Sequence, residues 1–240
     1  MSRSSILSNR IFARPWKRDV SPPFLIGAII IALLISFYGG TLLAPLAGTI
    51  NGLLIGCTAA NALLLGGAFL IPPRREGAFR LGMRRVTGKD MVLCAVALFV
   101  MLAGSMLLSF AWQQILDFFA VEYTKEQGLV QLAKEADFFT LLRLLLLTAF
   151  LVPLSEELVF RRCLYELLLK FGAPAAMVGT ALIFSAAHGF LLGMPGLFFI
   201  GLVFQILCNT TRNLWCSIIA HAMLNATVLI TAWQSAGAAQ

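Results

Sequence analysis

The sequence predicts an all-α, polytopic membrane protein with about seven or eight spanning helices of roughly 20 residues each. Three observations predict it. Hydrophobic residues make up 60% of the chain and charged residues only 12%, where a soluble domain carries roughly 25% charged. Apolar runs of spanning length follow one another with short connections. No stretch alternates polar and apolar residues as a membrane β-barrel strand must. At 240 residues no second, soluble domain is expected beside these spans.

The elements follow in order. Residues 1–20 form a basic, Ser-rich tail in which Trp16 is placed to sit at headgroup level. A first span runs from Phe24 to Leu43; it continues into further hydrophobic sequence without a small-residue cleavage site, so it is expected to be retained. Gly39-Gly40 and Pro45 break it, and a second span covers Ile50 to Ile71. Pro72-Pro73 ends that helix, because proline supplies no backbone donor and clashes with the preceding turn. A third span runs from Met91 to Trp112. The mixed-charge segment 112–137 suits a short amphipathic helix on the outer surface. A long apolar run, Phe138 to Lys170, is interrupted by Pro153. Gly172 and Pro174 separate it from shorter spans at Ala175–His188, Gly196–Cys208 and Leu214–Trp233. The expected organisation is a tail (1–20), N-terminal spans with an outer loop (21–137) and a core of membrane helices (138–233).

The net charge of +7 is unevenly distributed. Arg3, Arg10, Arg14, Lys17 and Arg18 precede the first span, and Arg74, Arg75, Arg80, Arg84, Arg85 and Lys89 crowd the loop after the second. The 112–137 segment instead holds Asp117, Glu122, Glu126, Glu135 and Asp137 against Lys125 and Lys134. Basic loops stay in the cytoplasm, which places the N-terminus and the 72–90 loop inside and the 112–137 loop outside. Juxtamembrane arginines are explained by topology and lipid headgroups, so no nucleic-acid partner is expected; the expected location is a bacterial inner membrane. Cys57, Cys94, Cys163, Cys208 and Cys216 sit mostly in apolar helices with no Cys-x-x-Cys pair. They read as small buried hydrophobes rather than a disulfide framework or zinc site.

Against this background a polar constellation stands out. The apolar 138–233 region contains Glu156-Glu157-x-x-x-Arg161, then Phe184-x-x-x-His188, then His221-x-x-x-Asn225, with the only two histidines of the chain. Ionisable groups inside a bilayer are costly and mark functional sites by default. On a helix, residues four apart share a face. Glu157 and Arg161 are therefore expected to pair structurally, which turns Glu156 away and frees it to face a cavity. Glu156 with His188 then orders and deprotonates a water, and His221 with Asn225 is left to donate hydrogen bonds to a developing oxyanion. Each residue has a plainer use: an intramembrane His or Asn also glues helices together, and Arg162 with Lys170 also marks a cytoplasmic flank. The rival function is non-enzymatic, a membrane immunity or transport protein that uses the same cluster to bind a peptide or carry protons. A proton relay needs a chain of carboxylates across the bilayer, and Glu156 and Glu157 are the only acids expected in a span core.

In order and internal spacing the three motifs resemble the signature of the CPBP (ABI) family of intramembrane proteases, which includes the type II CAAX prenyl proteases. Glu156, Glu157, Arg161, Phe184, His188, His221 and Asn225 match its positions, over roughly residues 138–232. The resemblance implies a glutamate-type endopeptidase with its site sunk in a membrane cavity. Glu156 and His188 would activate water, and His221 and Asn225 would hold the oxyanion. The substrate would be a peptide or membrane-protein tail, prenylated or not. The family has also been read as metal-dependent, with Glu156, His188 and His221 as zinc ligands and water in the fourth position. No His-Glu-x-x-His run is present and Asn is a poor zinc ligand, so a mechanism without metal or other cofactor is favoured and zinc is kept as the variant.

One dimension is in tension with these boundaries. Phe138 to Glu156 rises about 27 Å at ~1.5 Å per residue, nearly a full hydrocarbon thickness. His188 would lie about 20 Å from the opposite start near Ala175 at the same rise, so Glu156 and His188 meet only if the helix is strongly tilted, starts outside the bilayer or bends at Pro153.

Overall fold

A computed structural model of the chain describes residues 83–237, with positions 55–56, 58–59 and 61–62 ahead of them. From 83 to 237 there are six helices and no strand. They are α1 (Gly88–Phe118), α2 (Gly128–Glu135), α3 (Phe138–Phe171), α4 (Ala173–Ala186), α5 (Met194–Thr211) and α6 (Leu214–Gly237). Of these, α1, α3, α5 and α6 are long and apolar enough to cross a membrane. On α1, Phe99, Met106, Leu107 and Phe110 are all exposed, a concentration of apolar surface that lipid covers and water would penalise.

The all-α membrane class therefore holds, with four candidate spans among the described residues rather than the seven or eight expected. The first expected span and most of the second lie outside the described residues. The expected span Ala175–His188 is instead the 14-residue helix α4, which ends at Ala186. At ~1.5 Å per residue it is about 21 Å long, short of the ~30 Å hydrocarbon core.

The chain groups into two compact units. The first contains residues 83–125 and 160–220, and the second 126–159 and 221–237 with the helical positions in 55–62.

In the first unit α5 packs against both α1 and α4. Small residues permit the approach: a Cβ on Gly201 would lie 3.1 Å from Ala181 Cα, and one on Gly196 would lie 2.8 Å from Ser109 Oγ. Close approach through small residues is how membrane helices gain dispersion contact where no hydrophobic force distinguishes protein from lipid. The helix ends are tied by polar groups. Thr87 and Asp90 form a reciprocal capping box at the start of α1. Arg84 donates to both Asp90 oxygens, at 2.8 and 2.7 Å, and this pairing holds the guanidinium above its ordinary pKa. The Arg84 main chain exchanges two hydrogen bonds with the Asn213 side-chain amide, at 3.3 and 3.1 Å. Asn213 Oδ1 also accepts from the N–H of Trp215, so one buried Asn fastens the 83–87 segment to the start of α6. Read from sequence as an inside-facing charge, Arg84 is also a structural clamp.

In the second unit α2, the first half of α3 and the last part of α6 enclose a core of Ala133, Ala136, Leu141, Leu144, Leu229 and Ala232. Trp233 Nε1 donates to the Ala136 carbonyl at 2.9 Å. Asp137 caps α3 by accepting from the Thr140 N–H at 2.6 Å, which lowers its carboxyl pKa below the ordinary range.

Pro153 does not break α3. The helix continues through it by means of two π-helical stretches, Leu147–Leu151 and Leu158–Leu164, on either side of the α-helical turn Val152–Glu157. A π-bulge widens the turn before the proline ring, where an α-helical carbonyl would clash. The 34 residues of α3 rise about 51 Å at ~1.5 Å each, well beyond the ~30 Å core. A helix of that length tilts or runs past the hydrocarbon at its ends, and the mid-helix position of Glu156 is then compatible with membrane depth.

Candidate active site

The seven motif residues divide between the two units. Glu156, Glu157, His221 and Asn225 belong to the second; Arg161, Phe184 and His188 belong to the first.

In the second unit the α-helical turn Val152–Glu157 presents both glutamates. Glu157 is wholly buried, and its Oε1 lies 3.0 Å from Nδ1 of His221. The opposite ring nitrogen, Nε2, lies 4.0 Å from Oε2 of Glu156. One imidazole thus stands between two adjacent carboxylates. A buried carboxylate at one ring nitrogen fixes ring orientation and proton placement, leaving the other nitrogen for chemistry. Glu156 differs from its neighbour: its side chain retains 23% exposure, while Oε2 itself is enclosed and has no hydrogen-bond partner among the described residues. At 4.0 Å the Glu156–His221 separation is too long for a direct hydrogen bond. A water bonded to both at ~2.8 Å would subtend an angle of about 90° there, an accessible geometry. Ser155, the residue before Glu156, is buried and hydrogen-bonds Asn61, which anchors this turn of α3 to the upstream segment. Asn225, one turn after His221, is half-buried and donates from Nδ2 to the Thr148 carbonyl at 2.7 Å.

In the first unit His188 lies just past the end of α4 rather than within a span. Its Nδ1 donates to the Phe184 carbonyl at 2.8 Å, one of the carbonyls that a helix C-terminus leaves open. The backbone N–H of His188 goes instead to Ser185, and Gly189 follows at φ 60°, a left-handed conformation suited to glycine. The imidazole therefore caps its own helix through Nδ1; in the neutral ring Nε2 is then the acceptor. Phe184 packs its ring 4.7 Å from the His188 ring. Arg161 is wholly buried, with its guanidinium 4.8 Å from the Phe184 ring centroid, 5.4 Å from Phe204 and 5.9 Å from Phe160. Cation–π attraction is strongest in such desolvated settings. Glu157 and Arg161, expected from spacing to pair, fall in different units.

Several polar residues escaped the sequence analysis. Glu166 is a further carboxylate within α3, almost buried and ion-paired with Arg162, so Glu156 and Glu157 are not the only acids in that helix. The pair sits at i,i+4, a legible spacing. Tyr165 accepts from Asn209 Nδ2 at 3.1 Å, and Asn209 Oδ1 accepts from Gln205 Nε2 at 3.0 Å; only packing brings these two helices together. The described cysteines, Cys94, Cys163, Cys208 and Cys216, are buried. Among the described residues no group of three His, Cys, Asp or Glu side chains is arranged to hold a metal ion. Of the three ligands the zinc variant would use, Glu156 and His221 lie in the second unit and His188 in the first.

Residues 138–227 match the family model described as type II CAAX prenyl endopeptidase Rce1-like. The matched stretch contains all seven motif positions, so the family resemblance carried by the three motifs holds over that part of the chain. No curated protein and no solved structure gives a significant match.

Proposed function

We propose that this integral membrane protein is a CAAX-protease-like endopeptidase in which Glu156 is the general base. The observation that carries the reading is the Glu157–His221–Glu156 arrangement, with 3.0 Å on one side of the imidazole and 4.0 Å on the other. The second carboxylate sets the ring, and the first keeps an enclosed oxygen with no hydrogen-bond partner among the described residues, the place we assign to the water.

The reaction follows from these groups. Water beside Glu156 gives its proton to the carboxylate as its oxygen attacks the scissile carbonyl carbon. Negative charge develops on the carbonyl oxygen, which accepts from the Asn225 amide. His221 donates from Nε2 when the Glu157–His221 pair carries one proton beyond carboxylate and neutral imidazole. The C–N bond then breaks, and the proton held by Glu156 passes to the leaving amine. His188, with Nε2 kept as an acceptor, is the family's partner of Glu156 in water activation and is carried over on the motif match. The substrate is a peptide or membrane-protein tail presented at the bilayer, and a bacterial inner membrane with the N-terminus inside is the proposed setting.

The test is proteolysis by purified protein of a peptide library that includes prenylated and unprenylated C-terminal tails, comparing wild type with Glu156→Ala. Cleavage by wild type alone is expected. Binding of peptides without cleavage would favour the immunity or transport reading instead.

A further inference from the structure

We infer that Pro153 positions Asn225: by withholding a backbone N–H it leaves the Thr148 carbonyl to the Asn225 side chain, which locks the amide that faces the reaction. The inference rests on the proposed role of Asn225 as an oxyanion donor, and all the residues involved lie in the second unit.

The argument begins with backbone donors. In the π-helical stretch Leu147–Leu151, the N–H of Val152 donates to the Leu147 carbonyl, five residues back. Continued by one residue, the same pattern would have the N–H at position 153 donate to Thr148. Position 153 is proline and has no N–H. The α-helical alternative, the N–H of Val152, is already committed to Leu147. The Thr148 carbonyl thus has no donor within its helix, and Thr148 is only 3% exposed. A buried carbonyl in this position must find a donor elsewhere or carry its full desolvation penalty. Asn225 Nδ2 meets it at 2.7 Å.

The bond does more for Asn225 than for the helix. The terminal torsion of asparagine is broad, and nothing intrinsic to the side chain selects which face of the amide points where. A carbonyl partner accepts only from the NH2 end, so it decides the flip and fixes the amide plane. One N–H is then committed to Thr148, and the second N–H of the same group is held in a set direction. Oxyanion stabilisation depends on donors oriented before charge develops. The π-bulge and the proline are both needed: the bulge moves the open carbonyl to position 148, and the proline keeps it open.

Thermal unfolding in detergent tests the contact without reference to activity. Asn225→Ala should lower Tm by several degrees in the wild-type background and far less in Pro153→Ala, where the restored N–H serves Thr148; equal, additive losses would overturn the inference. In spectra of protein labelled with 15N-asparagine, one Asn225 side-chain proton should exchange slowly in wild type and rapidly in Pro153→Ala. Unchanged exchange would also overturn it. Pro153→Leu is the second variant if Pro153→Ala is not recovered. On a cleaved substrate, Pro153→Ala should reduce kcat by about 10- to 100-fold, as a small misplacement of a catalytic group does, with KM nearly unchanged. The same change in Asn225→Ala should have no further effect on kcat. A purely structural contact would move Tm without this kcat dependence, contradicting the positioning role. Absence of any cleavage by wild type would instead count against the peptidase reading, and the Tm and exchange results would still decide the contact.

Discussion

Nδ1 of His221 lies 3.0 Å from Oε1 of Glu157, in a pair almost wholly removed from solvent. The two residues are 64 positions apart in the chain, and their contact fixes which face of the imidazole is left for Glu156. On the proposed reading the adjacent glutamates have separate tasks: Glu157 holds the histidine and Glu156 takes the proton.

Glu156→Gln should abolish peptide hydrolysis while the protein still folds and inserts. Glutamine keeps the volume but cannot accept a proton, so a loss of at least about 10²–10⁴-fold is expected for a general base. Steady-state cleavage and a thermal melt of the same preparation check it. A normal rate in this variant would remove Glu156 from the role.

Glu157→Ala should damage stability as well as activity. It leaves the buried Nδ1 of His221 without its carboxylate, and hydrogen bonds to charged groups contribute about 1.5–3 kcal/mol. A double-mutant cycle with His221→Ala should show strong coupling in Tm, the double variant losing less than the sum of the singles. Additivity would show that the contact carries no energy of its own. Glu156→Ala should leave Tm nearly unchanged or raise it, because catalytic carboxylates commonly cost stability.

Exhaustive chelation should leave activity intact, and elemental analysis should find no stoichiometric zinc. If chelation abolishes cleavage and zinc restores it, the reaction belongs to a metal-dependent mechanism.

Acid should weaken the start of α3. The Asp137 carboxyl is held below its ordinary pKa by the Thr140 N–H it caps. A depressed folded pKa means the cap's contribution is fully present above the unfolded value and is lost as pH falls through the folded one. The Tm difference between wild type and Asp137→Ala should accordingly be largest near neutral pH and shrink on acidification below the usual carboxylate range. A difference independent of pH would show that the cap does not act through the ionised carboxylate.

By itself the sequence determined the membrane class, the helical core and the identity of the polar residues, because apolar composition and i,i+4 spacing are local properties that survive without tertiary context. The Phe184–His188 association was legible for that reason: both lie at one helix end, where a carbonyl needs a donor. Partnership across the chain was not legible. Spacing offers Glu157 a neighbour in Arg161 one turn on, but no periodicity reports its contact with His221, 64 residues away. Pro153 could be read as an interruption but not as a π-bulged continuation, since the bulge depends on how neighbouring groups satisfy the backbone. The Thr148 carbonyl was invisible in the sequence altogether. A backbone acceptor has no side-chain signature, and only the folded helix decided that it would be open and that Asn225 would fill it.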